Sequence, residues 1–370
     1  MKKTAKAAVF AGAHQPFVIK EYEVLSAPKG YGRSRLIASG VCGTDLHFMR
    51  GTLEAGIGSI VGHEFVGKLE DCDEQEAAAF GLKKGDNVIA DIAVPCGHCL
   101  LCDEGDDANC VNMDVTNGNM AEEAPYFWGG YGEVNFTPLT NLVKIPELLD
   151  PVAVATFACP GPTVLHSVAL AKKANIDVSA ANVAVVQGTG PVGCFAVMYL
   201  KAVGVKKVYV ITGGRNADKD KIARLCGADE IFNLALLGEK AVTEILQKEN
   251  GGLGVDLAIE CSGAPAAVKQ GMEILRNRGV YLIPGQYSAG GTVAIQPEMI
   301  TFKALQILGS SQYAMEDVHG YLDFLCAHPE SQQIIRKLGT AYPVSEVNRA
   351  FADAMQGKNI KTLLTAENNL

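Results

Sequence analysis

The chain of 370 residues is long enough for two domains with substantial cores, and 48% apolar with 20% charged residues is the composition of a folded globular protein, not a disordered one. Thirty-two Lys and Arg stand against 41 Asp and Glu, a formal net charge of −9. That balance argues against a nucleic-acid partner, because phosphate neutralisation supplies most of such affinity, and no apolar run reaches the roughly 18 residues of a membrane span.

The first segment, MKKTAKAAVFAGAHQPF, carries lysines but no continuous apolar stretch leading to a small-residue cleavage site. It reads as a first strand rather than a signal peptide, so a cytoplasmic location is expected. Residues up to about 150 continue with short strands and many of the chain's 40 glycines, the pattern of a β-rich domain. Within them GVCGTDLHFMRG (40–51) offers Cys42, Thr44, Asp45 and His47, and VGHEFVG (61–67) offers His63 and Glu64. Further on, ACPGPTVLHS (158–167) offers Cys159. A catalytic zinc takes three protein ligands and keeps one position open, and Cys42, His63 and Cys159 have the composition of such a set. Spacing alone does not join residues so far apart.

Between these pieces lies CGHCLLCDEGDDANC, with Cys96, Cys99, Cys102 and Cys110 in the spacing C-x2-C-x2-C-x7-C. Four thiolates can close a tetrahedron around Zn²⁺ with no open position, which defines a structural site. Two unstrained disulfides would be awkward in so short a segment, and a reducing compartment disfavours them. An iron–sulfur cluster competes on spacing but has no support elsewhere in the sequence. His98 is expected to face solvent. The remaining cysteines, Cys72, Cys194, Cys226, Cys261 and Cys326, sit singly and read as small apolar fillers. Tyr126 and Trp128 of PYFWGGYGE are equally suited to a substrate wall or to packing.

The second half alternates strands with helices, the sign of βαβ units around a parallel sheet. Strands are expected at NVAVVQ (182–187), KVYVIT (207–212), DEIFNL, VDLAIECSG, GVYLIPG and ALQILGSS, six in all, as in a doubly wound dinucleotide domain. After about 311 the sequence predicts helices near 316–327 and 345–356 in a tail too small for its own core, which returns to the first domain.

GTGPVG follows the first of these strands and opens a helix, placing Gly188, Gly190 and Gly193 in G-x-G-x-x-G spacing with Pro191 and Val192 between. In that context the glycines allow a tight turn, approach of a pyrophosphate to the backbone, and close helix–strand packing. An NAD site usually offers a carboxylate about 20 residues on, for the ribose 2′-OH. Here the second strand runs instead into Thr212, Gly213, Gly214 and Arg215, with nothing acidic before Asp218. Arg215 could fork onto a 2′-phosphate, which favours NADP. NAD remains open, with Thr212 and Asn216 or a folded-back Asp218 serving the ribose.

In order, CGTDLH, GHEFVG, the four-cysteine lobe, GGYGE, the Cys159 segment and GTGPVG resemble the zinc-containing medium-chain alcohol dehydrogenases over nearly the whole chain. The resemblance implies an α/β protein with a GroES-like β-rich catalytic domain at 1–160, including a structural-zinc lobe near 94–112. A six-stranded Rossmann domain at 161–311 and a C-terminal return at 312–370 complete it. It implies two zinc ions per chain, one on Cys42, His63 and Cys159 and one on the four-cysteine lobe. It further implies NADP or NAD as cofactor, a small alcohol or carbonyl substrate, and a homodimer or homotetramer. By motif position, Asp45 matches the carboxylate that orients the ligand histidine, Thr44 and His47 a proton relay, Glu64 a glutamate beside the metal, and Thr163 a side chain against the nicotinamide. Polyol and sugar members often have Glu where Cys159 stands, so the cysteine leans toward alcohol or ketone substrates. The expected activity is hydride transfer between an alcohol and NAD(P). Polyol, sugar or amino-alcohol dehydrogenation is the alternative within the family, and a zinc-stabilised dinucleotide sensor the alternative outside it.

Overall fold

The structure, a computed structural model, describes residues 3–214, 217–286 and 290–367. Arg215 and Asn216 lie outside the described residues. By their internal contacts the residues form two units, Met1–Pro162 with Tyr313–Leu370, and Thr163–Gln312.

The first unit is built on a seven-stranded sheet. Its path runs Gly339–Pro343, Lys361–Thr365, Tyr31–Val41, Phe65–Asp71, Asn87–Ala90 and Leu142–Lys144, and Val134–Pro138 also pairs with Tyr31–Val41. The expected first strand is Thr4–Val9, which forms an antiparallel hairpin with Val18–Glu23. Below these strands an aromatic core gathers Phe17, Tyr131 and Phe351 with ring centroids 4.7–6.1 Å apart. After Cys72 the chain forms a short helix, Glu74–Ala79, whose first turn is capped by Asp73 accepting from the Gln75 and Glu76 amides.

The tail differs from its sequence reading. Two helices, Met315–Ala327 and Val347–Met355, fall where they are expected, but a third, Pro329–Leu338, stands between them. Strand Lys361–Thr365 then pairs antiparallel with the middle of the catalytic sheet, Leu363 opposite Gly40 and Leu364 opposite Ser39. All five of its residues are buried, so no alternation of apolar and polar marks it as a strand.

In the second unit six parallel strands lie in the order Glu230–Asn233, Lys207–Thr212, Val183–Gln187, Val255–Glu260, Leu275–Ile283 and Gln306–Gly309. Numbered along the chain, that order is 3-2-1-4-5-6, the doubly wound arrangement. The first and fourth strands, VAVVQ and VDLAIE, are buried at every position, as a sheet covered on both faces requires. They are neighbours, with successive strands added outward on either side. This order reversal leaves a crevice beyond their carboxyl ends, where ligands of such sheets bind. Among the described residues no helix is long and apolar enough to cross a membrane.

Candidate active site and nucleotide pocket

The helix Gly43–Arg50 organises the first site. Cys42 is its N-cap, and Asp45 in the first turn accepts a hydrogen bond from the Cys42 amide at 2.8 Å. That bond fixes the end of strand Tyr31–Val41 against the helix start, where an acidic side chain also suits the helix dipole. Asp45 is fully buried, and its second bond comes from the Tyr131 hydroxyl at 2.6 Å. Its other oxygen lies 3.7 Å from Nδ1 of buried His63. Asp45 thus binds the backbone of Cys42 and faces the ring of His63 with its remaining oxygen.

Ligand atoms of Cys42, His63, Glu64 and Cys159 all lie within 4.8 Å of one another. Cys42 Sγ and Cys159 Sγ are 3.9 Å apart. Two sulfurs each about 2.3 Å from one tetrahedral Zn²⁺ would be separated by about 3.8 Å, so the pair has the spacing of an edge of that tetrahedron. The proton distribution agrees. The bond from Cys159 holds the Cys42 thiol well below its ordinary range against burial, while the same bond pushes Cys159 well above it. A cation bound between two such cysteines displaces their protons. Burial opposes a charge on His63, but Asp45 and Cys42 raise it to about 10. Soft sulfur and imidazole donors suit zinc.

Glu64 lies under this group and forms an ion pair with Lys361, both side chains being almost wholly inaccessible. Burial pushes the Glu64 carboxyl up to about 7, with Lys361 pulling it back. Gly40 makes the pairing possible, since a Cβ there would collide with both the carboxylate and the lysine stem. Neither Lys361 nor Tyr131 was singled out as a site residue from sequence. Lys361 belongs to no motif, and Tyr131 sits inside GGYGE, where nothing local tells that its hydroxyl reaches Asp45. Thr44 Oγ1 is 3.8 Å from Cys42 Sγ. His47, half-buried, has Nδ1 2.8 Å from Thr52 Oγ1, and burial with the nearby Arg50 charge lowers its pKa.

The second cysteine group is equally compact. Cys96, Cys99, Cys102 and Cys110 present sulfurs within 4.8 Å of one another, Cys99 standing 3.5 Å from Cys102 and 3.9 Å from Cys110. Amide donors face them, the Cys96 N–H toward Cys110 Sγ at 3.2 Å and the Asn112 side chain toward Cys96 Sγ at 3.6 Å. None of the eleven cysteines is in a disulfide. Four sulfurs closing on one point leave no position for substrate, as in a structural zinc site. His98 is exposed and turned to the Cys96 carbonyl, outside the group. Tyr126 stacks on Tyr22, and Trp128 packs edge-on against Tyr31 with its indole N–H on the Glu123 carbonyl. Both rings serve packing.

In the second unit a pocket of about 270 Å³ opens between the Gly188–Gly190 turn, Thr212–Gly214, Lys219, Cys261 and Ser262. Gly188 has φ +109°, a conformation that L side chains rarely adopt, and a Cβ on Gly193 would strike the Gly188 carbonyl. Pro191 occupies the first turn of helix Pro191–Ala202, Gly190 being its N-cap, so the N-terminal amides face the pocket region as a phosphate site requires. Val192 follows in the same turn. At the end of the second strand, Thr212 donates to Asp220 at 3.2 Å, and Asn233 donates to the other Asp220 oxygen and to the Gly214 carbonyl. The Asp220 carboxylate is therefore engaged by Thr212 and Asn233. Lys219, which the sequence reading passed over, lines the pocket, and Cys261, read as filler, forms part of its wall. Thr163 lies in the first turn of helix Pro160–Lys173.

Residues 34–147 match the alcohol dehydrogenase GroES-like domain family, and residues 191–327 match the zinc-binding dehydrogenase family. The chain is 30% identical over 340 residues to 5-exo-hydroxycamphor dehydrogenase of Pseudomonas putida, covering 88% of this chain and 86% of the relative. It is also 30% identical over 322 residues to erythritol/L-threitol dehydrogenase of Mycolicibacterium smegmatis, covering 82% of each. The fold is similar to that of an alcohol dehydrogenase from Thermotoga maritima, with TM-score 0.89 and 26% identity over 99% of this chain and 100% of that one. The chain belongs to the zinc-containing medium-chain alcohol dehydrogenase family.

Proposed function

We propose that this chain oxidises a primary or secondary alcohol, or reduces the corresponding aldehyde or ketone, using NAD(P) and a zinc ion held by Cys42, His63 and Cys159. The observation that carries the reading is the sulfur pair 3.9 Å apart with the His63 and Glu64 donors gathered around it. Zinc held by these residues would supply Lewis acidity, and NAD(P) bound at the glycine turn would supply the redox chemistry. The protein's own groups do the rest. Asp45 orients His63 and raises its basicity. Thr44 takes the proton of the substrate hydroxyl and His47 passes it to solvent. Cys96, Cys99, Cys102 and Cys110 hold a second zinc that keeps their lobe folded. The Gly188–Gly193 turn with Pro191 and Val192 receives the pyrophosphate, while Thr212 and Gly213 border the adenosine ribose and Thr163 packs on the nicotinamide.

Assay of the zinc-loaded protein with a panel of simple alcohols, cyclic secondary alcohols and polyols, in parallel with NAD and NADP, tests this by the absorbance of reduced nicotinamide. Turnover of simple or cyclic alcohols above polyols is expected. No turnover of any member would sink the proposal. Preference for tetritols would instead support the polyol reading, which the erythritol/L-threitol relative favours.

The relay makes a prediction. His47 must be neutral to accept a proton, so its lowered pKa carries alcohol oxidation to lower pH than an ordinary histidine would allow. The rate should fall only as pH drops through that lowered value. His47→Gln should slow oxidation about 10²-fold near neutral pH and abolish this acid limb. An unchanged pH–rate profile would remove His47 from the relay.

NADP is the preferred cofactor in this reading, with Arg215 and Lys219 as cations for a 2′-phosphate. Lys219→Ala should raise the KM for NADP about tenfold, the scale of one charge-assisted hydrogen bond, and change that for NAD less than about twofold. Equal effects on both would refute the assignment. A homodimer or homotetramer is supported by edge strand Gln306–Gly309 and by Phe302, 80% exposed beside it. Eleven cysteines without a disulfide fit the cytoplasm.

A further inference from the structure

Glu260 ends the fourth strand of the nucleotide-binding sheet and is entirely inaccessible. It belongs to none of the motifs above. Burying a carboxylate so deeply is costly unless donors surround it, and its donors come from two loops, one after its own strand and one after the next. Oε1 accepts from the Ser262 amide at 2.7 Å, the Ser262 hydroxyl at 2.5 Å and the Gly263 amide at 3.0 Å. Oε2 accepts from the Gln286 side chain at 3.1 Å, and that same nitrogen donates to the Ala264 carbonyl. The Glu260 carbonyl receives the Gly285 amide, and the Cys261 amide reaches back to Gln187 at the end of the first strand.

Cys261 and Ser262 are walls of the pocket. They press on its glycine turn so closely that a Cβ on Gly188 would stand 3.0 Å from Ser262 Cα and 3.1 Å from the Cys261 carbonyl carbon. Segments following the fourth and fifth strands therefore meet at one side chain, and the first of these two lies against the turn that follows the first strand. None of the strand pairing requires that carboxylate, because the ladder is made by backbone groups. Its bonds order the loop instead. They also turn the Ser262 and Gly263 amides toward Glu260, which leaves phosphate recognition to the turn at Gly190–Gly193.

We infer that Glu260 is a positioning residue for the cofactor: its carboxylate pins residues 261–264 against the Gly188 turn and so preforms the dinucleotide pocket. The inference rests on the reading of that pocket as the NAD(P) site. A preformed wall spares the ordering cost that binding would otherwise meet, so losing it weakens binding rather than the hydride step.

The test uses the zinc-loaded enzyme and its Glu260→Gln and Ser262→Ala variants. The first replaces charge-assisted bonds by neutral ones, and the second deletes a single donor. Titrating NADPH and NADH by fluorescence, and measuring steady-state rates over cofactor concentration, should show Kd and KM raised about tenfold in Glu260→Gln and a smaller rise in Ser262→Ala, with kcat at saturating cofactor within about twofold of the parent. Unchanged Kd in the folded variants, or a fall in kcat at constant KM, would overturn the positioning role. Should Glu260→Gln fail to fold, Ser262→Ala decides between the same two results. A parent enzyme that binds neither dinucleotide would instead overturn the pocket reading, and the role of Glu260 with it.

Discussion

His63→Ala is expected to leave one zinc ion per chain instead of two and to lower kcat/KM for alcohol oxidation by about three orders of magnitude. The figure follows from the several kcal/mol that Lewis-acid stabilisation of a developing oxyanion contributes, at about 1.4 kcal/mol per tenfold in rate. With the imidazole gone, Cys42 and Cys159 remain 3.9 Å apart, but Asp45 loses the ring it faces at 3.7 Å. Two sulfurs and a carboxylate already engaged by Lys361 are a poor substitute for a Cys₂His set. The four-cysteine lobe shares no ligand with this group and should keep its ion. Zinc content by elemental analysis, measured alongside activity, checks both halves of the expectation. Full zinc retention with full activity would show that the ion sits elsewhere. Loss of both ions would show that the two sites do not fold independently.

The parts of this site that could be read from sequence are those whose partners are near in the chain. Cys96 to Cys110 fall within fifteen positions, so their spacing already describes a closed metal site. Asp45 and Cys42 are three apart across a helix start, a recurrent capping geometry. The strands of the nucleotide-binding sheet were legible for a related reason. Most are short apolar runs bounded by turn residues, and KVYVIT is a strand over its whole length, whereas Leu275–Ile283 also takes in the LRN expected to close the preceding helix. What escaped depends on chain segments far apart in sequence. Cys42 and Cys159 are 117 residues apart, and only the family resemblance joined them. Lys361 is one cation in an otherwise uncharged strand that gives no periodic signal. Helix Pro329–Leu338 follows its predecessor after His328 alone, and its polar sequence PESQQIIRKL offers only a narrow apolar face, with Ile335 and Leu338 buried. Lys219 was missed for another reason: it belongs to no motif, although it lines the pocket.

Lys361→Met should be the most damaging single change to stability in the catalytic unit, by about 3–5 kcal/mol, because it leaves the Glu64 carboxylate buried without its cation. Methionine fills nearly the same volume, so the loss is electrostatic and not a cavity effect. The pH dependence gives the sign of the claim. The Glu64 carboxyl is already raised to about 7 with Lys361 present, and removing the lysine drives it higher. A carboxyl whose folded pKa exceeds its unfolded value penalises the folded state increasingly as pH rises above the unfolded value, and spares it when both states are protonated. The deficit of Lys361→Met should therefore be largest near pH 8 and shrink toward about pH 5, within the range where Glu64 becomes neutral in the fold. Adding Glu64→Gln to Lys361→Met should restore most of the loss at the higher pH, since a neutral amide has no buried charge to compensate. Urea denaturation of the parent, both single variants and the double variant at the two pH values measures the coupling directly. A deficit independent of pH, together with no recovery in the double variant, would mean that the lysine stem supports the sheet by packing and that its charge contributes nothing.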